Sequence, residues 1–359
     1  MALTIKDIAK KAGVSEATVS LAFNDSPLVN ANTKAMVLEI AKELNYHPNL
    51  IAKSLATRKS NSIGIIIPDI NIIFYANVLR VVDILVKQKG YSLVMAMSGN
   101  DPKRESEIIR EFIAKRCEGV MVIPSILVPS GEPAKYLSEY RRELDRFDIP
   151  VVYLTSLYPV ENVKYVMGDI EEGTYKLVSH LMGYGHREIV FIGGKEYIPT
   201  TSLRRSGYSR AFSEHDLPVK AENLIECENL YFSDAVKAME KLVRERDDFT
   251  AVVAMNDEMA IGVLKVLHNA GIRVPEDVSL VGYDNTNYSA VATVGITTMD
   301  SDVERTCGFA IDMLLAIMSK EEIKEKHIRI KPTMIKRQSV GPVTEQKRLV
   351  WNGETVTKA

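Results

Sequence analysis

Three polar residues stand where apolar runs stop, and their types suit holding a small polar molecule. Asn256 follows the run Ala251 to Met255, Asp284 follows Val278 to Gly282, and Arg204 opens a helical pattern reaching Glu214. An amide both donates and accepts, a carboxylate accepts, and a guanidinium fork can hold paired hydroxyls, a carboxylate or a phosphate. Asp257 is expected to cap the helix that follows it. This is recognition chemistry rather than bond-making. Cys117, Cys227 and Cys307 have no paired spacing, so neither a disulfide framework nor a zinc site is indicated, and a reducing compartment fits. The histidines form no helical ligand pair and stand beside no obvious nucleophile. Gly193-Gly194-Lys195 lacks the full spacing of a phosphate loop and its following Ser or Thr. No enzyme and no cofactor are expected.

A second set of chemistry-bearing residues lies near the amino terminus. Glu16, Ala17, Thr18, Ser20 and Leu21 fall on the exposed face of a short helix capped by Ser15 and running toward Phe23. The helix before it starts at a Thr4-x-x-Asp7 cap and ends at Gly13, where the chain must turn through a left-handed conformation. Ile5, Ile8, Ala9, Val14 and Val19 form the seam between the two, and Ala9 is small where the second helix crosses. Beyond Asn32, Val37, Ile40, Ala41 and Leu44 keep helical spacing over Lys34 to Leu44, a third helix closing a small core. This is a helix-turn-helix, whose second helix enters the DNA major groove. The face has no Arg or Gln to grip a base bidentately, so Thr18 and Ser20 suit phosphates or thymine methyl groups.

Charge agrees with that partner. Residues 1–60 hold eight basic and five acidic side chains, a net of +3, while the whole chain carries −2, leaving about −5 on the remainder. Next, Pro48 suits the first turn of a helix in which Ile51, Ala52 and Leu55 share one face. A helix that short needs a partner surface to form.

After Ser60-Asn61-Ser62 apolar runs alternate with amphipathic stretches. Strands are expected at Ile63 to Pro68, Tyr91 to Met97, Gly119 to Ile123 and Val151 to Leu154, with helices at Asn77 to Lys89, Glu105 to Lys115 and Tyr136 to Phe147. A second series opens near Lys164, with strands Tyr165 to Met167, Ile189 to Gly193, Ala251 to Met255 and Val278 to Gly282. Its helices are Gly173 to Gly183, Arg204 to Glu214, Ala235 to Arg246 and Glu258 to Ala270. So long a stretch calls for two α/β lobes, and ligands of such sheets bind at the carboxyl ends of the strands, in a cleft.

The run Ile5 to Ser20, the segment Asn45-Tyr46-x-Pro48-Asn49 and the segment Ala52-x-x-Leu55-Ala56 resemble the lactose/galactose repressor family, and the likeness extends over nearly the whole chain. The resemblance implies an all-α helix-turn-helix head (1–46) with a hinge helix and linker (47–61), joined to a type I periplasmic-binding-protein-like α/β effector domain of two lobes. The lobes would hold 62–160 plus 296–326 and 161–292 plus 327–342, with a tail at 343–359. It implies a homodimer on a pseudo-palindromic operator in double-stranded DNA, with Leu55 of each hinge wedged into the minor groove.

The residues expected at the DNA are Thr4, Ser15, Glu16, Ala17, Thr18, Ser20, Leu21, Asn24, Asn49, Ala52, Lys53 and Leu55. Leu21 departs from an arginine common at its position. For a small-molecule effector, a sugar or sugar derivative, the resemblance points to Asn71, Phe74, Tyr75, Thr155, Arg204, Tyr231, Asn256 and Asp284. Thr155 stands where many sugar-binding members carry an aspartate, and the segment Ser125 to Arg142 is longer than usual in the family. Pairing of two chains is expected through Val78, Val81, Val82 and Leu85. The tail has no leucine heptads and is expected to be flexible. No run resembles a signal peptide or membrane span, which fits the cytoplasm. The competing reading is a metabolite-binding or sugar-processing α/β module with an accessory helical head.

Overall fold

The computed structural model describes residues 3–23, 26–46, 60–124, 144–154 and 163–343, with the strands 349–351 and 356–358. The chain divides into two compact units, meeting at Ser60 and Asn61.

The first unit is three helices, α1 (Ile5–Ala12), α2 (Glu16–Phe23) and α3 (Ala31–Glu43). Each start has a local cause. The Thr4 amide and hydroxyl both donate to Asp7 Oδ2, at 2.9 and 2.7 Å. The Thr18 amide donates to Ser15 Oγ at 3.0 Å, and the Thr33 amide to Asn30 Oδ1 at 2.8 Å. Asn30, not Asn32, therefore sets where α3 begins. Gly13 ends α1 at φ 66°, a conformation glycine adopts without steric cost. Ile8, Ala9, Val19, Ala22, Val37 and Ala41 are the buried core, with Ile5 and Val14 packed at its edge. The rings of Phe23 and Tyr46 close one side, 5.7 Å apart.

The second unit is built on two parallel sheets. The first has the strands β1 (Ser62–Ile67), β2 (Ser92–Met97), β3 (Gly119–Val122), β4 (Val151–Leu154), β5 (Tyr165–Gly168) and a late arrival, β11 (His327–Ile330), in the order β11-β5-β4-β3-β1-β2. Residues Ile63 to Ile67 are buried on both faces of the sheet: Ile63, Ile65 and Ile67 face one cluster and Ile66 the other. Helices α4 (Ile73–Gln88) and α5 (Pro102–Ala114) cover it. Gly64 has no alternative, because a Cβ there would lie 2.4 Å from the Phe112 ring on α5.

Helices α6 (Ile170–Gly183), α7 (Pro199–Glu214), α8 (Phe232–Glu245) and α9 (Asp257–Asn269) belong to the second sheet. Its strands β6 (Ile189–Gly193), β7 (Leu224–Glu226), β8 (Ala251–Ala254) and β9 (Ser279–Val281) run in the order β7-β6-β8-β9. The short helix α10 (Asn287–Val291) follows β9. β10 (Thr298–Asp300) lies against the end of β9 and pairs antiparallel with β12 (Thr333–Ile335). Helix α11 (Val303–Met318) returns to pack on α4 and the first sheet.

The structure differs from the sequence reading in several places. Tyr165–Gly168 and His327–Ile330 pair in parallel within the first sheet, although 161–292 and 327–342 were expected in the other lobe. The cause is register: β4 pairs directly with β5, and the chain leaves the sheet only at Ile170, where α6 begins. Val78, Val81 and Val82 are buried in their own lobe, and Leu85 is half-buried against the same core, so the set offers no free pairing face. The apolar side chains left exposed nearby are Ile84 on α4 and Met95 and Met97 on the edge strand β2. In the tail, β13 (Leu349–Trp351) and β14 (Val356–Lys358) form an antiparallel pair rather than a structureless segment. Of the expected helix Tyr136 to Phe147, only residues 144–147 fall among those described, and the extended segment Ser125 to Arg142 lies outside them.

Candidate DNA-reading head and effector cleft

The recognition helix α2 keeps only Val19 and Ala22 for the core. Glu16 and Ala17 are exposed, while Thr18, Ser20 and Leu21 are half-buried on the remaining surface. Ser15 and Thr18 are tied together, their hydroxyls 2.8 Å apart, so the cap and a candidate base-contacting residue share one hydrogen-bond pair. Thr4 serves α1 as its start signal. Asn24, Asn49, Ala52, Lys53 and Leu55 lie outside the described residues, as does Thr155.

The cleft between the two sheets closes on a cavity of about 50 Å³. Of the expected effector residues, Phe74, Tyr75, Arg204, Asn256 and Asp284 line it, and Asn71 and Tyr231 do not. Phe74 and Tyr75 belong to the first turn of α4 rather than to a loop. Arg204 lies inside α7, not at its start, because Pro199 opens that helix a turn earlier. Its guanidinium stacks over the Tyr283 ring at 4.0 Å and reaches Asp284 Oδ1 at 3.3 Å. Asp284 is held at φ 100°, a backbone region that costs a non-glycine residue about 1–3 kcal/mol. The Asp284 amide donates to the Met299 carbonyl at 2.8 Å, and the Ser301 hydroxyl donates to Asp284 Oδ1 at 3.0 Å. Those contacts from the crossing segment hold the strained carboxylate in place.

Burial pushes the Asp284 carboxyl above the usual carboxylate range, against the opposing pull of Arg204. Burial also drives the neighbouring Asp257 carboxyl up to about 7, helped by the charge of Asp284. The expected division of labour between Asn256 and Asp257 is reversed. Asn256 is the cap of α9, accepting from the Met259 amide at 2.8 Å while its own amide donates to the Leu230 carbonyl at 3.2 Å. Asp257 instead bridges elements, accepting from the Thr298 hydroxyl and the Thr286 amide, both at 2.6 Å. Asn256 therefore lines the cavity with both side-chain atoms already engaged.

Tyr231 has a role that spacing did not reveal. Its hydroxyl donates to Asp69 Oδ2, across the mouth of the cleft from the loop after β1. This bond raises the Tyr231 phenol to about 12. This contact joins the two lobes without any ligand. A hydrogen bond to a charged group contributes about 1.5–3 kcal/mol. Tyr231→Phe is expected to lower the closed-to-open ratio roughly tenfold. Small-angle scattering of the unliganded variant should move toward the open form, and a profile equal to the wild type's would show that the contact does not hold the cleft.

Sequence reading missed the residues that the chain delivers on its crossings, Ser301 and Lys331, and the apolar floor formed by Val78, Val303 and Cys307. The only signal for Tyr283 was its place beside Asp284.

A three-helix reading head and a two-sheet body that encloses a buried arginine–aspartate pair define a ligand-binding DNA-binding regulator. Residues 4–49 match the family model for bacterial regulatory proteins of the lacI family, and residues 178–340 that for the periplasmic binding protein-like domain. Catabolite control protein A of Priestia megaterium is 31% identical over 340 residues, 94% of this chain and 99% of the relative. The HTH-type transcriptional repressor PurR of Pectobacterium carotovorum subsp. carotovorum is 32% identical over 348 residues, 96% of this chain and 99% of the relative. The chain belongs to the lacI family of bacterial transcriptional regulators. Among solved structures, the lac repressor dimer bound to operator and the anti-inducer ONPF superposes with a TM-score of 0.83 at 23% identity, covering 95% of this chain and all of that one. The CelR–cellobiose complex gives 0.68 at 25% identity, covering 94% of this chain and 99% of that one.

Proposed function

We propose that the protein is a cytoplasmic, homodimeric repressor whose heads read the two halves of a pseudo-palindromic operator and whose cleft senses a sugar or sugar derivative. The observation that carries this reading is the buried Arg204–Asp284 pair, held by strained backbone inside a cavity that two separately packed sheets close upon. Such a site can bias lobe closure only through a ligand that binds the open and closed states differently. Relatives of this chain are named as repressors, and one solved neighbour is a complex with cellobiose. Among the described residues no helix is long and apolar enough to cross a membrane.

On the DNA side, the proposed contacts are α2 and the hinge, with Leu55 of each chain unstacking a central base step, which costs a few kcal/mol that bent DNA returns as contact. DNase footprinting on promoter DNA is expected to reveal a symmetric protected site. Leu55→Ala should weaken that complex by roughly tenfold or more while leaving nonspecific DNA binding within about twofold, because the wedge works only at a kinkable step. Equal losses on both would remove Leu55 from this role, and no symmetric protection with or without candidate effectors would overturn the repressor reading.

A further inference from the structure

The hydrogen-bonding inventory of the cavity is lopsided. Arg204 is only 6% exposed, yet its Nε has no partner and its Nη1 meets nothing better than the Met255 thioether at 3.8 Å. Lys331, on the segment that crosses from β11 to β12, lines the same cavity from its rim and makes no ion pair among the described residues. The acceptors that face them are already partly engaged. Asp284 Oδ1 receives both Arg204 and Ser301. Asp300 receives the Asn285 amide at 3.1 Å and the Asp302 backbone at 2.8 Å, and Asn256 is spent on its cap.

A buried guanidinium left short of acceptors is costly until something supplies them. A neutral sugar offers the guanidinium and the ammonium only acceptors that each carry a donor as well, and no charge to set against theirs. A carboxylate brings about four lone-pair sites, a negative charge and no donor. It also meets a guanidinium bidentately and an ammonium as a point charge.

We infer that the effector carries a carboxylate, met by Arg204 and Lys331, so that the cleft takes a sugar acid rather than a neutral sugar; this rests on the cleft being the effector site. The remaining free oxygen of Asp284 then suits a hydroxyl of the same molecule, while the apolar floor receives its carbon skeleton.

The test is thermal unfolding of the full-length protein with D-galacturonate, D-glucuronate and D-gluconate, set against D-galactose and D-glucose at equal concentration and ionic strength, with formate as the smallest carboxylate. At least one acid is expected to raise the melting temperature by about 4 °C at roughly 100 times its dissociation constant, and its neutral counterpart to leave it unmoved. Lys331→Met should weaken binding of that acid about tenfold or more. Arg204→Gln, measured the same way, should remove the shift. A neutral hexose that stabilises as well as its acid would overturn the proposal while leaving the cleft as effector site. Acids and formate that do no more than sodium chloride would overturn it too, and full binding by Lys331→Met would take that residue out of the site. The operator footprint of the wild-type protein is independent of all these outcomes, so the regulatory reading stands or falls on its own.

Discussion

Replacing Gly207 with alanine is expected to destabilise the second lobe by roughly 3 kcal/mol or more. Two effects oppose each other at this position. Inside a helix such as α7, exchanging glycine for alanine ordinarily stabilises by about 0.5–1 kcal/mol through the unfolded chain and helix propensity. Here the added methyl would lie 2.2 Å from the Glu171 carbonyl oxygen and 2.9 Å from the Tyr175 nitrogen, both backbone atoms of α6. Neither can swing aside as a flexible side chain would, so the two helices must separate, and the overpacking term wins. The matched control is Gly308 on α11, where a Cβ would meet nothing within 4 Å. Gly308→Ala should therefore gain about 0.5–1 kcal/mol. Urea denaturation followed by circular dichroism reads both. Equal effects at the two sites would mean that α6 and α7 are not packed backbone to backbone.

The Gly207 case shows which parts of this molecule the sequence makes legible. Its neighbour Arg204 stood out as the opening of a helical pattern, but the reason for the glycine lies on α6, which begins more than thirty residues earlier in the chain. The head was readable almost to the residue because its determinants are local: a cap at Thr4 and Asp7, a left-handed Gly13, and a second cap at Ser15. The start of α4 was misplaced for the converse reason. Ile72 precedes it without any side-chain cap, so the sequence offers no signal there, and Phe74 and Tyr75 read as loop.

The site was readable only in part. Of the residues to which the resemblance pointed, Arg204, Asp284, Phe74 and Tyr75 lie on the cavity wall. Asn256 and Asp257 were both found, but their roles depend on partners at Thr286 and Thr298, far along the chain. The three-residue strands β7, β10 and β12 carry too little periodicity to register, and two of them flank the segments that deliver Ser301 and Lys331. Assigning Tyr165–Gly168 to the second series failed because a buried parallel strand looks the same in either sheet. What decides its place is the pairing partner, and that information is not local.

Arg204→Met is expected to abolish control by effector, so that operator affinity becomes the same with and without it. Any molecule that stabilises the wild type should bind the variant roughly 100-fold more weakly, because charge-assisted bonds contribute about 1.5–3 kcal/mol each. The variant also leaves Asp284 buried without its counter-charge, and breaking a buried pair on one side typically costs about 3–5 kcal/mol. Burial already holds that carboxyl above its ordinary range with Arg204 present, and removing the guanidinium takes away the pull that opposes the rise. The loss should accordingly be smaller in acid, where the carboxyl is protonated, and larger as pH rises and forces the charge. Adding Asp284→Asn removes the stranded charge and should recover most of the stability, yet not the response, since neither partner is then present to grip the ligand. Stability measured across pH on the single and double variants, with operator binding read beside it, separates the two roles of Arg204. A single variant that still answers effector like the wild type would place the binding site elsewhere. A double variant no more stable than the single at any pH would mean that Asp284 is not left charged once the guanidinium is gone.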